Sequence, residues 1–302
     1  MKKVHLIGAP SDYGASKQGG RMGPNALRVA DIKRCLEENG ASVKDTGDIT
    51  GPSTDWQSVK QGYRHLDQVA EWCHTLKKKV HESLSQDGFP IILGGDHSLA
   101  IGSIAGAYHY CQMVDKDLHV VWLDAHVDYN TGTSSPSGNL HGMPVAVLTG
   151  EGPSNLTEIG DKTPLLNPYD ITQIGIRAVD KNEKIRLTES RLKVCDMGYI
   201  DQQGMAKAIQ EFIDPLKKDT THIHVSFDVD VMDDTLVPGT GTPEPGGLTY
   251  REARQIFEAL YETGCVGSLD IYEVNPALDQ ENKTARLAVD LVTYLFGRKL
   301  TK

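Results

Sequence analysis

The chain has 302 residues, 39% of them hydrophobic and 24% charged, and a formal net charge of −10. That suits a globular α/β protein of one large or two ordinary domains, and it speaks against nucleic acid or an anionic membrane as partner, since both call for a basic face. Five scattered cysteines (Cys35, Cys73, Cys111, Cys195 and Cys265) form no C-x-x-C pair, the pattern of reduced thiols in a cytoplasmic protein, and no apolar run approaches the roughly 18–20 residues of a membrane helix.

In chain order, the opening "MKKVHLIGAP" is too short in its apolar part for a signal peptide and reads as a first strand over 3–8. The stretch 23–40 reads as a helix, with Pro24 near its start and Gly40 just past its end. A long helical pattern covers 56–86, a buried strand 89–95, and a further helical run 97–110. Strands follow at 118–124, 171–177, 222–228 and 265–273. The segment 249–264 is a helix with a Thr249–Glu252 capping box and a terminal glycine, and a last helix spans 283–296. Alternating strands and helices imply βαβ units and a mainly parallel sheet covered on both faces. The loop 150–168 is the best boundary candidate, but it reads as a surface excursion, so residues 1–302 are taken as a single domain.

Three of these strands end in ionisable residues: "IILGGDHS" in Asp96 and His97, "VVWLDAHVD" in Asp124, His126 and Asp128, and "HVSFDVDV" in Asp228 and Asp230. A lone D-x-D is usually a solvated turn. Three groups spaced two apart share one face of an extended chain, and there they repel or dehydrate one another unless something binds them. In a parallel α/β sheet such strand ends converge. Four carboxylates and two imidazoles exceed one ion's needs and suit two. The oxygen-rich set without thiolate favours Mn²⁺ over structural zinc, and the two histidines favour it over Mg²⁺. Two ions about 3.5–4 Å apart can hold a hydroxide at neutral pH and aim it at an electrophile.

Two-metal sites often cleave phosphate esters, which normally meet Arg or Lys clamps. The stretches 94–106, 124–144 and 226–247 hold no Lys or Arg. Four aspartates, two divalent ions and one hydroxide leave a charge of about −1, made more negative by Glu273 at the end of 265–273. Such a pocket repels phosphate and attracts a small cation. The loop "NTGTSSPSGNLHGMP" (130–144) offers Asn130, Ser135 and Ser137 as neutral hydrogen-bonding groups suited to a carboxylate or zwitterion, and His141 as a titratable imidazole suited to proton transfer.

The motifs "GGDHS", "DAHVDYN", "SGNLHGMP", "SFDVDV", "GTGTPEPGGLTYREA" and "DIYEVNP", with the opening "GAPSDYGASKQGGRMGPNALR", resemble the ureohydrolase family in order over nearly the whole chain, and most closely its arginase branch. The resemblance implies a three-layer α/β/α fold around a central eight-stranded, mainly parallel sheet, and two Mn²⁺ per chain. One ion would be held by His97, Asp124, Asp128 and Asp228, the other by Asp124, His126, Asp228 and Asp230, with Asp124 and Asp228 bridging. Glu273 would meet the guanidinium, with Thr242 lining the pocket. Asn130, Ser135 and Ser137 would contact an α-carboxylate, Asp180 and Glu183 the region of an α-amino group, and His141 would shuttle protons. The implied reaction is L-arginine plus water giving L-ornithine and urea, in a cytoplasmic homo-oligomer (trimer or hexamer) that binds neither nucleic acid nor membrane. Agmatine or a guanidino acid is the alternative substrate, and the 130–139 loop favours arginine over agmatine because only arginine carries an α-carboxylate. More distant alternatives are a deacetylase-like amidohydrolase, which manages with one zinc, and a non-catalytic metal-bound scaffold.

Overall fold

Runs rich in Val, Ile and Leu supply the core of one sheet, with strands β1 (Lys3–Gly8), β2 (Ser42–Asp48), β3 (Gly88–Leu93), β4 (Asp117–Leu123), β5 (Ile171–Ile176), β6 (Lys193–Asp196), β7 (Thr221–Asp228) and β8 (Val266–Tyr272). The structure is a computed structural model that describes residues 2–56 and 58–299. Among these residues the sheet has eight strands in the order β2-β1-β3-β8-β7-β4-β5-β6, and every pairing is parallel. Helices cover both faces, giving the expected three-layer α/β/α architecture with a wholly parallel sheet.

Alternation along each strand divides the apolar side chains between two cores. Leu6, Ile91, Val121, Val225 and Leu269 face the helices Tyr250–Thr263 and Lys283–Tyr294. Ile7, Ile92, Val120 and Trp122 face Leu66–Ser85 and Ala100–Met113. Burial on both faces is why these strands read as continuous apolar runs. The edge strands differ: in β2 only Val43 is buried and β6 has no buried residue, so both lack the apolar signal and escape a reading by pattern.

Two helices are shorter than their sequence pattern. The helix expected over 23–40 is two, Gly23–Val29 and Ile32–Glu38, broken where Asp31 takes a left-handed φ of 62°. The pattern over 56–86 yields a helix only at Leu66–Ser85, because Gly62 (φ 85°) and His65 (φ 51°) turn the chain before it. The 150–168 excursion is anchored by buried Leu156, Ile159, Leu165 and Leu166. What matters for function is that β3, β8, β7 and β4 are neighbours at the middle of the sheet, so their C-terminal ends meet.

Candidate metal centre and active site

At the end of β3 two glycines let the chain squeeze past its neighbours. A Cβ on Gly94 would lie 2.0 Å from Tyr272 Cδ1, and one on Gly95 1.8 Å from Ser11 O. Asp96 then accepts from Ser98 N and Gly14 N, each at 3.0 Å, so its carboxylate fixes the turn rather than a ligand. The next residue, His97, is 1% exposed. Its ring stacks on Trp122 at 4.1 Å and 10°, and its Nε2 lies 2.8 Å from Ser226 Oγ. Its Nδ1 is surrounded by Asp124 Oδ2 at 3.0 Å, Asp228 Oδ2 at 3.1 Å and Asp128 Oδ2 at 3.4 Å, yet makes no hydrogen bond among the described residues.

β4 ends at Leu123, one residue before the aspartate cluster. Asp124 divides its oxygens: Oδ2 accepts from Trp122 Nε1 at 2.9 Å and faces His97, while Oδ1 accepts from His126 N at 2.6 Å and lies 3.3 Å from His126 Nδ1. Asp128 has a left-handed φ of 53°, so the triple is not a regular extended run; the turn, as well as the alternation, brings Asp128 to the site. Ala125, Val127 and Tyr129 are buried on the packing side, as the alternation predicts. From β7, Asp228 Oδ1 accepts from Asp230 N at 2.8 Å. Asp230 Oδ2 accepts from Thr242 Oγ1 at 3.0 Å and lies 3.1 Å from His126 Nδ1. Two sets of donor atoms converge, His97–Asp124–Asp228 and Asp124–His126–Asp230, and Asp124 belongs to both.

The donor set fits a pair of divalent cations. Burial and the charges of Asp124 and Asp228 push the Asp128 carboxyl well above the usual range, and burial with Asp230, Asp124 and Glu273 does the same to Asp228. Burial pushes His97 and His126 down, but the surrounding carboxylates overcome it and raise both. Burial also pushes Asp124 up, and there His126 and His97 win and hold it below the ordinary range. Without a cation, these like charges oppose one another's ionisation. An orphaned, buried Nδ1 facing three carboxylate oxygens is what a bound cation requires.

Glu273 follows β8 with a left-handed φ of 61°. Its Oε1 accepts from His97 N at 2.9 Å and lies 3.0 Å from His141 Nδ1. Burial pushes Glu273 up and His141 down, but each counters the shift in the other: His141 holds Glu273 below its ordinary value, and Glu273 raises His141. His141 lines a cavity of about 630 Å³ whose wall also includes His97, His126, Asp128, Asp228 and Thr242.

Asn130, Ser135, Ser137, Asp180 and Glu183 also line that cavity. Asn130 Nδ2 donates to Asp180 Oδ2 at 3.0 Å. Glu183 has both oxygens engaged: Oε1 accepts from Tyr129 N at 2.8 Å and Oε2 from Asp180 N at 3.2 Å, in a capping box on the helix Lys181–Glu189. Glu183 therefore positions the loop wherever a substrate binds. Glu273 is 4% exposed and stands directly behind His97 and His141, which line the cavity.

Sequence reasoning missed four contributors. Trp122 and Ser226 orient His97 and Asp124; a polar Ser inside a buried strand was the available signal for the second. Lys17 Nζ donates to Gly241 O at 2.6 Å. Arg177, just past the end of β5, also lines the cavity. Its guanidinium donates to the carbonyls of Asp230, Met232 and Glu244 at 2.8, 3.1 and 2.7 Å, and to others around them, so it braces the strand-end loops with its donors turned to the backbone.

A family model described as the Arginase family matches residues 2–297. The chain is 42% identical to an arginase of Bacillus caldovelox, over 99% of this chain and 100% of the relative. A solved arginase structure from the same organism, at pH 5.6, superposes with a TM-score of 0.93 at 41% identity, covering 99% of this chain and 100% of that one. A structure of Entamoeba histolytica arginase in complex with L-ornithine superposes with a TM-score of 0.90 at 32% identity, covering 99% and 100%.

Proposed function

The chain belongs to the arginase family, and on that footing we propose that it hydrolyses L-arginine to L-ornithine and urea at two Mn²⁺ ions. The observation that carries this reading is the pair of donor clusters sharing Asp124, of which His97, His126 and Asp228 line the cavity. His97, Asp124, Asp128 and Asp228 would hold one ion, and Asp124, His126, Asp228 and Asp230 the other. When bound, the ions supply Lewis acidity and lower the pKa of water, so that a strong nucleophile forms near neutral pH. An oxygen-rich set with two imidazoles favours manganese among the first-row metals.

The chain's own residues bind and orient the substrate and move a proton. An acidic site free of guanidinium or ammonium groups turned to the ligand attracts the substrate's own guanidinium. Glu273 Oε2, whose partner oxygen holds His97 N and His141, would receive it. Asn130, Ser135 and Ser137 would meet the α-carboxylate, and Asp180, with Glu183 behind it, the α-amino group. Glu273 raises His141 against the opposing effect of burial, which favours the protonated imidazole, and from Nε2 it would donate a proton to the departing δ-nitrogen. Arginine rather than agmatine is supported by the Asn130–Ser137 wall, which has no task for a ligand without a carboxylate. Residues 1–302 are read as one domain. The five cysteines are free thiols, in keeping with a cytoplasmic protein, and no helix among the described residues is long and apolar enough to cross a membrane. A homo-oligomer, trimer or hexamer, follows from the family resemblance.

The test is urea release by Mn²⁺-loaded protein with L-arginine against agmatine. Arginine should be strongly preferred, exhaustive chelation should abolish turnover, and Mn²⁺ should restore it best. Equal turnover of agmatine overturns the choice of substrate, and full activity after chelation overturns the metal reading.

A further inference from the structure

Beneath His97 lies a buried polar ladder that the reaction does not use. On one face of β7 stand His222, His224 and Ser226, and on the same face of β8 stand Ser268, Asp270 and Tyr272, with His224 paired to Ser268 and Ser226 to Asp270 in the sheet register. All are buried, and His224, Ser268, Asp270 and Tyr272 are completely so. Burying so many polar groups is costly unless each finds a partner. They find one another: His222 Nε2 to Ser268 Oγ at 3.1 Å, Ser268 Oγ to His224 Nδ1 at 2.8 Å, and His224 Nε2 to Asp270 Oδ2 at 2.9 Å. From the covering helix Ala100–Met113, Ser103 Oγ donates to the same Asp270 oxygen and lies 3.3 Å from the Tyr272 hydroxyl.

One assignment of hydrogens serves every contact in this set, and it leaves only Asp270 Oδ1 without a hydrogen-bond partner among the described residues. Both histidines donate from Nε2, Ser268 donates to His224 Nδ1, and Tyr272 donates to Ser103, which donates to Asp270. Every donor then points toward one carboxylate. Burial pushes His222 down to about 3, so it keeps the neutral form that the assignment needs.

The Tyr272 ring is thereby tied at its far end and lies against His97, with centroids 5.2 Å apart and the planes tilted by 39°. Trp122, from the strand on the other side of β7, stacks on His97, and Gly94 leaves room for the Tyr272 ring where a Cβ would collide with it. We propose that Tyr272, anchored through Ser103 to the buried Asp270–His224 pair, is a positioning residue that sets the imidazole plane of His97 and so aims Nδ1 at the metal. This rests on the reading of the two clusters as metal sites, and the test reads metal binding without substrate.

Metal-free protein, in parent and Tyr272→Phe and Asp270→Asn variants, is titrated with Mn²⁺, and each is loaded with Co²⁺ for its visible spectrum. Tyr272→Phe keeps the ring and removes only its anchor, so it remains informative if Asp270→Asn does not fold. One binding step should weaken by about 10-fold in either variant, the usual cost of losing a group that orients a metal ligand, the other step should hold, and the Co²⁺ absorption should change shape. Parent-like affinity and spectrum in a folded Tyr272→Phe overturns the positioning role even if its melting temperature falls. Failure of the parent chain to bind metal overturns the reading of the site and this proposal with it, whereas the absence of urea release touches neither measurement.

Discussion

β4 and β7 are paired residue for residue and are buried to similar depth, yet they carry different chemistry on the same face. Val120 sits beside His224, and Trp122 beside Ser226. From Val120 to Leu123 β4 is apolar on both faces, whereas β7 is apolar only on the face of Ile223, Val225 and Phe227. An apolar buried strand contributes packing energy that depends little on what lies beyond it. A polar buried strand is stable only where its neighbours complete it, so each polar residue of β7 points to a partner: Ser226 to His97, His224 to Asp270. The apolar faces hold the sheet together, and the polar face of β7 holds the site in register with it.

The sharpest way to break this division is to remove one residue from each side. Asp124→Ala takes away the oxygens that face both His97 and His126. It should cost both metals and at least about 10³-fold in urea release, on the scale of the several kcal/mol that metal catalysis supplies. Phe227→Ala, on the opposite face against Phe257 (ring centroids 5.3 Å apart), should cost about 3–5 kcal/mol of stability and leave metal content intact. Full metal content in Asp124→Ala, or metal loss from folded Phe227→Ala, contradicts the division. Next in size is His141→Asn. Because His141 touches Glu273 and no cluster oxygen, it should keep both metals while turnover falls by about 10²-fold. Loss of manganese would mean that His141 acts on the metals and not on the proton.

Much of this was legible in the sequence and some was not, for reasons that follow from burial. His97, Asp124, His126, Asp128, Asp228 and Asp230 stand out because charge at the end of an apolar run has no bland explanation, and the structure brings these six together. β2 and β6 were invisible because edge strands need no apolar face. The left-handed turns at Asp31, Asp128 and Glu273 leave no mark in a hydrophobic pattern. Arg177 was overlooked because it comes from the end of β5, outside the charge-bearing motifs, and Glu183 reads as a ligand contact until its two oxygens are seen on backbone N–H groups. Whether residues are near one another is set by topology, which a pattern along the chain does not contain.

A smaller effect tests the protons that stand in for cations. Asp128, Asp228 and His126 are all raised in the folded chain. A raised folded pKa contributes stability that is present at low pH and lost as pH rises through it. Asp124 is shifted the other way, so its contribution is lost only on acidification below the ordinary carboxylate range. The metal-free chain should therefore melt lower as pH rises above the ordinary carboxylate range of about 4, at about 2–4 °C per kcal/mol. The gain in melting temperature on adding Mn²⁺ should widen across the same window, because the ions replace departing protons. A gain that narrows as pH rises would contradict the exchange of protons for metal.

The smallest effect separates recognition from loop architecture. Ser135 Oγ accepts from Gly138 N at 3.0 Å and Ser137 Oγ from Asn139 N at 3.2 Å, so each hydroxyl already serves the loop while also lining the cavity. Replacing either by Ala removes one hydrogen bond worth about 0.5–1.5 kcal/mol, a factor of about 2–10 in KM for L-arginine with kcat nearly unchanged. If the hydroxyls meet the α-carboxylate, the residual turnover of agmatine should not move, because agmatine has nothing to offer them. If they only shape the loop, both substrates lose together and the ratio of kcat/KM values stays fixed. A fixed ratio in both Ser135→Ala and Ser137→Ala would move carboxylate recognition to Asn130, whose Nδ2 is held by Asp180.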